Sequence, residues 1–558
     1  MMTSQAVALI VTDVERTRFG LRSRVGEQLA GRSVLEQTLR RAARVARVSR
    51  LVVVHPTGQR PLELVDARAI ARPIEVFAFD PETAADEHWA AARKWAMAAW
   101  RGGLGGACGF DEALPAGPLA AALKASGSEA ALVLRADWPL FDAGYASAQV
   151  AMHLEQPEAY KLTFTQAPPG LAGIVAGQST LDQLAEHHSS FGQALAYNPR
   201  KPRGDAIGRE VNQPISAAVR DTYRRFAYDT PRSAALVGAI AEQLGAEFED
   251  ADAEAVVAAA RQVEAARPEV VRGFLPQQVT LELTPQRPSP GPITPQHYVS
   301  LDRAELDPVL AQRIVAQLGD GAGVVGDVAL RLGGLGDALL HPAWDEIVRD
   351  AHEAGVLGVC VETDLRCGRD ALDRLLELPI DAVAVRLNAD CGATYRQAMG
   401  EDAFKHVTDN LRYLMEQRGR REGAGRRGLP WLVPRLVKTA ETMQDMEPFF
   451  DRWLLVGAQP VIEPAQSGAG LMPELSPVAM AGPRRVACRQ LGGRMTILSD
   501  GRVALCDQDW QGRATLGDAR EEPLLTIWQR AHEHAEAHAC GRFEPAALCG
   551  RCSEWHRP

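Results

Sequence analysis

Four cysteines form a regular frame near the end of this chain of 558 residues: Cys488, then Asp500-Gly501-Arg502-Val503-Ala504-Leu505-Cys506, then Cys549-Gly550-Arg551-Cys552. The two thiolates of a Cys-x2-Cys turn can bind one ion from a tight loop, and two further cysteines complete a set of four soft ligands. Chance rarely produces such clustering together with a Cys-x2-Cys pair. The frame therefore predicts a bound zinc ion or an iron–sulfur cluster.

Other residues of this region make it similar to a known module. With the cysteine frame, they resemble the SPASM domain, the C-terminal auxiliary-cluster domain of many radical S-adenosylmethionine (SAM) enzymes: Thr496-Ile497-Leu498, Asp509, Leu516-Gly517-Asp518 and Ile527-Trp528. The resemblance covers residues 481–558 and implies one [4Fe–4S] cluster, with zinc as the alternative. It assigns the metal to Cys488, Cys506, Cys549 and Cys552, and Cys540 has no clear counterpart.

The composition excludes several classes of protein. Hydrophobic residues make up 46% and charged residues 24% of the chain, as in ordinary globular proteins, and the net charge is −10. We therefore expect no nucleic-acid partner and no membrane partner. The first five residues do not read as a secretory signal. Nine cysteines in an unsecreted chain favour thiols and metal in a reducing, cytoplasmic compartment.

Residues 1–245 alternate between strand-like and helix-like segments. Residues 28–48 have helical spacing of apolar side chains. Four apolar runs are typical of buried parallel strands: residues 6–12, 51–55, 73–79 and 130–136. The alternation predicts a doubly wound α/β domain.

The order of these segments resembles the nucleotidyltransferase family with the glycosyltransferase-A-like fold, which includes sugar-activating cytidylyltransferases. The resemblance rests on the first strand and its loop, on Leu35-Glu36, and on the stretches 136–142 and 225–231. It implies that Asp137 and Asp229 hold Mg²⁺ between them if this domain is active.

The phosphate-binding loop departs from that family. Residues 12–20 contain a single glycine, although backbone N–H groups must approach a triphosphate closely. Asp13 and Glu15 stand where phosphates would lie, while Arg16 and Arg18 remain able to grip an anion. We therefore expect a domain that keeps the fold and has lost or changed the chemistry.

Residues 246–275 are expected to form a linker helix, and residues 276–480 repeat a strand and a helix six times. Six such units predict a partial (β/α)6 barrel. The segment resembles the radical SAM barrel, in which a glutamate after the second strand helps to hold the SAM amino group. Asp337, in the stretch 333–342, takes that place here.

The loop after the first strand of this segment lacks the family's catalytic cysteines. Aligned on the strand, the positions of the Cys-x3-Cys-x2-Cys motif hold Arg287, Gly291 and Thr294. None of these side chains can replace a thiolate in a [4Fe–4S] cluster. We therefore predict a degenerate barrel that does not cleave SAM.

The sequence as a whole predicts an α/β protein of three domains: nucleotidyltransferase-like, degenerate radical-SAM-like, and SPASM. This combination is similar to the group called spiro-SPASM proteins. The first hypothesis is an iron–sulfur protein without SAM cleavage, whose cluster serves structure, electron transfer or docking of a redox partner protein. The alternative is a nucleotidyltransferase acting on a sugar or another small substrate, with the remainder as scaffold. The substrate, a small molecule or a protein, is left open.

Overall fold

The computed structural model describes residues 5–81, 87–200, 211–319, 326–423, 428–478, 481–543 and 546–556. The chain folds into two compact units, residues 1–271 and residues 272–558. Within the described ranges, no helix combines the length and the apolar character needed to cross a membrane. The finer division of the chain at residues 245, 275 and 480 stays a prediction.

The first unit is built on a mixed sheet. Its strands are β1 (Ala6–Val11), β2 (Gln28–Leu29), β3 (Arg32–Ser33), β4 (Val48–Pro56), β5 (Ile74–Phe79), β6 (Ala130–Arg135), β7 (Leu162–Thr163) and β8 (Ile174–Gly177). Its helices are α1 (Val34–Ala42), α2 (Glu87–Arg93), α3 (Ala116–Ser126), α4 (Ala143–Glu155), α5 (Gln178–Glu186), α6 (Phe191–Ala194), α7 (Ala217–Arg220), α8 (Pro231–Leu244) and α9 (Ala253–Ala266), and α10 (Pro268–Arg272) follows at the boundary.

The large sheet of this unit has the order β5-β4-β1-β6-β8-β7. Strands β1, β4, β5 and β6 are parallel to one another, and β8 is antiparallel to both β6 and β7. Every residue of β6 is buried, as expected for a strand with both faces covered. The predicted α/β class with a parallel sheet is confirmed.

The helix predicted over residues 28–48 is shorter in the structure. Residues 28–33 form the hairpin of β2 and β3, because Ala30 and Gly31 adopt positive φ angles of 48° and 80°. Helix α1 begins only after Ser33, whose side chain caps the helix by accepting a hydrogen bond from the Glu36 N–H.

The predicted linker helix is represented by α9. It packs against α8 within the first unit, and both helices contribute to one apolar cluster that includes Val237, Ile240, Val256 and Val263. Asp252 caps the start of α9 by accepting from the Ala255 N–H. This helix is therefore part of a packed unit rather than an isolated connection.

The second unit contains the remaining elements. Its strands are β9 (Gln278–Leu281), β10 (Ala329–Leu332), β11 (Gly358–Thr363), β12 (Ala382–Arg386), β13 (Trp431–Lys438), β14 (Val461–Pro464), β15 (Arg494–Ile497), β16 (Arg502–Ala504) and β17 (Thr515–Asp518). Its helices are α11 (Pro295–Tyr298), α12 (Pro308–Leu318), α13 (Trp344–Glu353), α14 (Arg369–Glu377), α15 (Gly392–Met399), α16 (Phe404–Gly423), α17 (Met446–Leu455), α18 (Leu524–Ala539) and α19 (Ala547–Arg551).

Strands β9 to β14 form a parallel sheet in sequence order, as repeated strand–helix units require. A cavity of about 160 Å³ is lined by residues from each of these strands and from β15. One small cavity can touch that many strands only if the sheet curves around it, which agrees with a partial barrel.

The C-terminal region extends the same sheet. Strand β15 pairs in parallel with β9, on the side of β9 that faces away from β10. Strands β16 and β17 continue the sheet in antiparallel pairing. Strands β15 to β17 therefore form a ribbon that is continuous with the barrel, and the frame of four cysteines is attached to this ribbon.

Candidate functional site

Short structures around the end of this ribbon position the four cysteines. Cys488 precedes a turn of 3-10 helix and strand β15, and Cys506 follows strand β16. Cys549 lies within the one-turn helix α19, and Cys552 caps the C-terminal end of that helix. The Cys552 N–H donates to the Cys549 carbonyl at 3.2 Å, which is the tight turn expected of Cys-x2-Cys.

The four cysteine thiols lie close enough together for the charge of one to change the pKa of another. Burial raises the pKa of each thiol, that of Cys549 to about 11. The negative charge of Cys488 raises the pKa of the other three thiols further. The charge of Cys552 acts in the same direction on Cys506 and Cys549. The predicted ligands are thus brought together, and a cation between them would relieve the repulsion between their thiolates.

Backbone N–H groups point at these sulfur atoms. The Glu554 N–H lies 3.2 Å from the Cys552 sulfur. Backbone hydrogen bonds from Gln490 and Leu491 reach Cys488, and one from Gln508 reaches Cys506, and each lowers the pKa of the thiol it contacts. Such donors stabilise thiolate ligands and are typical of iron–sulfur sites.

The four thiols lie near one another but are not at the distances of a formed metal site. All nine cysteines are free thiols. Across the described part of the chain, no three histidine, cysteine or acidic side chains already stand close enough to hold an ion. Cys540, at the end of α18, is exposed and is not among the charges that act on the four thiols.

The loop that was expected to lack a SAM-cleaving cluster is filled by other contacts. The Arg287 guanidinium makes a buried, bidentate ion pair with Asp364, at 2.6 and 3.2 Å. A Cβ atom added at Gly291 would lie 2.2 Å from the Met399 carbonyl carbon, so a cysteine does not fit there. The Thr294 hydroxyl donates to the Gly291 carbonyl at 2.8 Å. Each of the three positions is committed to packing or to internal pairing.

Asp337 is buried and acts within the loop rather than at the cavity wall. One carboxylate oxygen accepts from the Leu339 N–H at 3.0 Å, and the other accepts from the Thr363 hydroxyl and the Asp364 N–H. Burial, followed by the charge of Asp364, raises the pKa of Asp337 to about 6. Its role in holding SAM stays a prediction, and its present contacts are structural.

The cavity itself is lined by charged side chains that pair with one another. Although burial opposes ionisation, Arg435, Arg331 and Arg386 hold the pKa of Glu362 well below its usual range. Arg435 also contacts Glu463, and Arg386 donates to the Gly334 carbonyl at 2.6 Å. The chain therefore supplies its own counter-ions at this cavity.

In the first unit, Asp137 and Asp229 lie near each other, as predicted, but each is paired with an arginine. Arg135 forms two hydrogen bonds with the carboxylate of Asp137, and Arg225 does the same with Asp229. Burial raises the pKa of Asp137, whereas Arg225 holds that of Asp229 below its usual range against the effect of burial. Glu112 completes the network as a partner of Arg225, at 2.7 and 2.8 Å.

The loop over residues 12–20 is organised by Asp13. One oxygen of Asp13 accepts from the N–H groups of Glu15 and Arg16 and from the side-chain amide of Gln59. Two of these donors are backbone N–H groups, the kind of donor that a phosphate would need. The carboxylate of Asp13 therefore accepts the hydrogen bonds that the loop could otherwise donate to a bound anion.

Sequence reasoning did not single out the arginines of these networks. The spacing Arg135-x-Asp137 on one side of an extended segment was a readable signal, as was Arg225-x3-Asp229. The partner Glu112 is 113 positions from Arg225, so only the folded structure identifies it.

Comparisons with known proteins give partial matches. An uncharacterized protein of Treponema pallidum (strain Nichols) is 26% identical over 237 residues, and the match covers 40% of this chain and 62% of that protein's length. A crystal structure of BtrN in complex with AdoMet and 2-DOIA has 16% identity and a TM-score of 0.35, covering 50% of this chain and 93% of BtrN. A cytidylyltransferase from Leptospira borgpetersenii serovar Hardjo-bovis (strain JB197) has 14% identity and a TM-score of 0.31, covering 48% of this chain and 97% of that one.

The family comparison concerns the cysteine frame directly. The matched segment begins at Cys488 and includes Cys506, Cys549 and Cys552, the four thiols that the fold gathers. Residues 488–553 of this chain match the family model of the SPASM domain, an iron–sulfur cluster-binding domain.

Proposed function

We propose that this protein holds one [4Fe–4S] cluster through Cys488, Cys506, Cys549 and Cys552. The observation that carries the proposal is the proximity of four thiols, one buried and three half-buried, of which three accept backbone N–H groups. The segment that supplies them matches an iron–sulfur cluster-binding domain. When bound, such a cluster stores and passes single electrons, and it also ties the ligand loops together.

The residues around the thiols would hold the loops and exclude water. The carboxylate of Asp509 accepts from the N–H groups of Arg513 and Ala514, both at 2.8 Å, which fixes the turn that follows Cys506. Asp507, Asp509 and Trp510 also line the cavity of the barrel. The loop after Cys506 therefore connects the metal ligands with the cavity, and a small molecule bound there would lie beside the cluster.

We further propose that the barrel does not cleave SAM. Reductive cleavage requires a cluster iron that SAM can chelate, and this requires three thiolates in the loop after β9. Arg287, Gly291 and Thr294 stand at those positions. The buried ion pair of Arg287 with Asp364 and the tight contact at Gly291 support the loss of that cluster.

The metal content of anaerobically purified protein tests the first part. We expect four iron atoms and four sulfides per chain, as a [4Fe–4S] cluster requires, with brown colour. The single variants Cys488→Ser, Cys506→Ser, Cys549→Ser and Cys552→Ser should each lose most of the iron. Cys540→Ser is the matched control and should keep it. A colourless protein with one zinc ion and no sulfide would preserve the site and refute the cluster.

Product analysis tests the second part. Reduced and reconstituted protein is incubated with SAM, and 5′-deoxyadenosine is measured against the same sample of a variant in which all nine cysteines are replaced. We expect equal amounts in both samples. An excess of 5′-deoxyadenosine over the variant would show that a cleaving cluster is present after all.

A further inference from the structure

Arg485 lies beside the cysteine site. Its guanidinium contacts a backbone carbonyl and an aromatic ring rather than a surface carboxylate. Its Nη2 donates to the Cys549 carbonyl at 2.7 Å. Its Cζ lies 4.4 Å from the centre of the Phe543 ring, within the range of a cation–π interaction. Phe543 in turn contacts the buried His538 edge-on, with ring centres 5.1 Å apart. The guanidinium is thus fixed from two sides.

One donor of this guanidinium is left without an acceptor. The Nε–H of Arg485 is buried and has no hydrogen-bond partner among the described residues. An unpaired buried donor is costly, so a native structure usually supplies an acceptor for it. Sulfur atoms of a metal centre held by the neighbouring cysteines are acceptors of the required kind.

The charge of Arg485 reaches three of the four ligands. Its positive charge interacts favourably with negative charge on the sulfur atoms of Cys488, Cys549 and Cys552. The other charges near the thiols are mostly of opposite sign, since Asp507, Asp509 and Glu554 raise the pKa of one or two of these thiols. Arg485 is thus a cation that acts on three of the ligands, while a second arginine, Arg494, interacts with Cys488 and Asp507.

We propose that Arg485 raises the reduction potential of the C-terminal cluster by stabilising its reduced form. The inference rests on the proposed iron–sulfur function. Reduction adds one electron and hence one negative charge to a cluster that already carries four thiolates. In a buried site a fixed cation close to the sulfur atoms favours that extra charge. Loss of the cation should make the cluster harder to reduce and lower its midpoint potential.

A series of three variants of the full chain tests this. Arg485→Gln removes the charge and is expected to give the largest shift to lower potential. Arg485→Lys keeps a charge, but its compact ammonium cannot both cover Phe543 and reach the Cys549 carbonyl, so a smaller shift in the same direction is expected. Arg484→Gln removes the neighbouring, exposed arginine and should leave the potential unchanged.

The measurements are iron and sulfide per chain, followed by a redox titration monitored by electron paramagnetic resonance. Full iron in all three variants with the order of shifts given above supports the proposal. A wild-type potential in Arg485→Gln overturns it, and so does loss of iron from that variant, because the residue then serves only to hold the loop. If Arg485→Gln does not fold, Arg485→Met, which also removes the charge but keeps an apolar stem against Phe543, takes its place, and a wild-type potential in that variant overturns the proposal. Absence of iron from the wild-type protein instead refutes the cluster itself, so the two failures are distinguishable.

Discussion

Two groups of potential metal ligands in this molecule differ in how far the chain neutralises them with its own cations. In the first unit, Asp137 and Asp229 are each held by two hydrogen bonds from an arginine. In the second unit, burial raises the pKa of all four thiols, the charge of Cys488 raises that of the other three further, and Arg485 opposes the effect at three of them. The comparison teaches that a ligand set stays available to a metal when the chain does not neutralise it with its own cations.

The difference follows from the chemistry of the two groups. Carboxylates are ionised at neutral pH, so burying them requires a permanent counter-charge, and a planar guanidinium matches two carboxylate oxygens at once. Buried thiols can remain protonated and neutral until a metal displaces their protons. The chain can therefore fold with its cysteine site open, whereas the acidic site has to be closed internally.

Removing Arg225 should break the closed site most strongly. Arg225→Met leaves Asp229 and Glu112 buried with fewer partners, and we expect the first unit to lose about 3–5 kcal/mol of its free energy of unfolding. Native-state hydrogen exchange of the β6 amides measures the loss in the full chain. Mg²⁺ should restore part of it in the variant and have no effect on the wild type, because the carboxylates are then free to bind a hard cation.

The control for this experiment is Arg220→Met, which removes an exposed arginine paired with Asp221. It should change the exchange of β6 little. Equal losses in both variants, or stabilisation of the wild type by Mg²⁺, would show that the acidic pair is not closed by Arg225.

Two buried groups, one in each unit, should contribute to the pH dependence of stability in opposite directions. Burial lowers the pKa of His153 to about 4, so between about 6.5 and 4 the unfolded chain binds a proton that the folded first unit does not. Acidification over this range should cost the first unit about 3 kcal/mol. The pKa of Asp337 is raised to about 6, so the folded second unit binds the additional proton between about 6 and 4 and gains stability as the pH falls.

Hydrogen exchange at several pH values separates the two effects, followed in α4 for His153 and in β11 for Asp337. The His153→Gln and Asp337→Asn variants should each remove the contribution of the replaced group from the pH dependence of their own unit. A fall in protection of both units with acid, unchanged by either variant, would contradict the assignment.

Nucleotide binding tests the smallest expected effect. Calorimetric titration of the full chain with CTP, ATP, GTP and UTP in Mg²⁺ should give no binding in the micromolar range. The reason is that Arg135 and Arg225 occupy the carboxylates and Asp13 occupies the backbone donors of the loop. Micromolar binding of any nucleotide that Asp137→Ala abolishes would reopen the acidic site and with it nucleotidyl transfer.

Much of the strand framework could be predicted from the sequence. The strand predicted over residues 130–136 differs from β6 by one residue, and so does the one predicted over residues 6–12 from β1. Both segments are apolar runs whose burial overrides local preference. The start of α1 could not be predicted, because the left-handed turn at Ala30–Gly31 interrupts a pattern that is otherwise helical.

The sites were predictable in composition but not in state. The cysteine frame can be recognised in the sequence because short local segments, a hairpin and a tight turn, set the spacing of its cysteines. The closure of the acidic site depends on Arg225 meeting Glu112, and the placement of Arg485 depends on Phe543, which lies 58 positions later. Contacts over such distances arise from tertiary packing, and no periodicity in the sequence announces them.

The pairing of β15 with β9 has a consequence for biosynthesis. These neighbouring strands are separated by about 200 residues, so β9 emerges from the ribosome long before its partner. At a synthesis rate of ~5–20 residues per second, roughly 10–40 s pass between the synthesis of β9 and that of β15. The edge of β9 has no strand partner on that side during this time. During this interval the nascent barrel presents an unpaired strand that other chains can join. The same ribbon that carries the cysteines thus ends the period in which the growing chain is most exposed to aggregation.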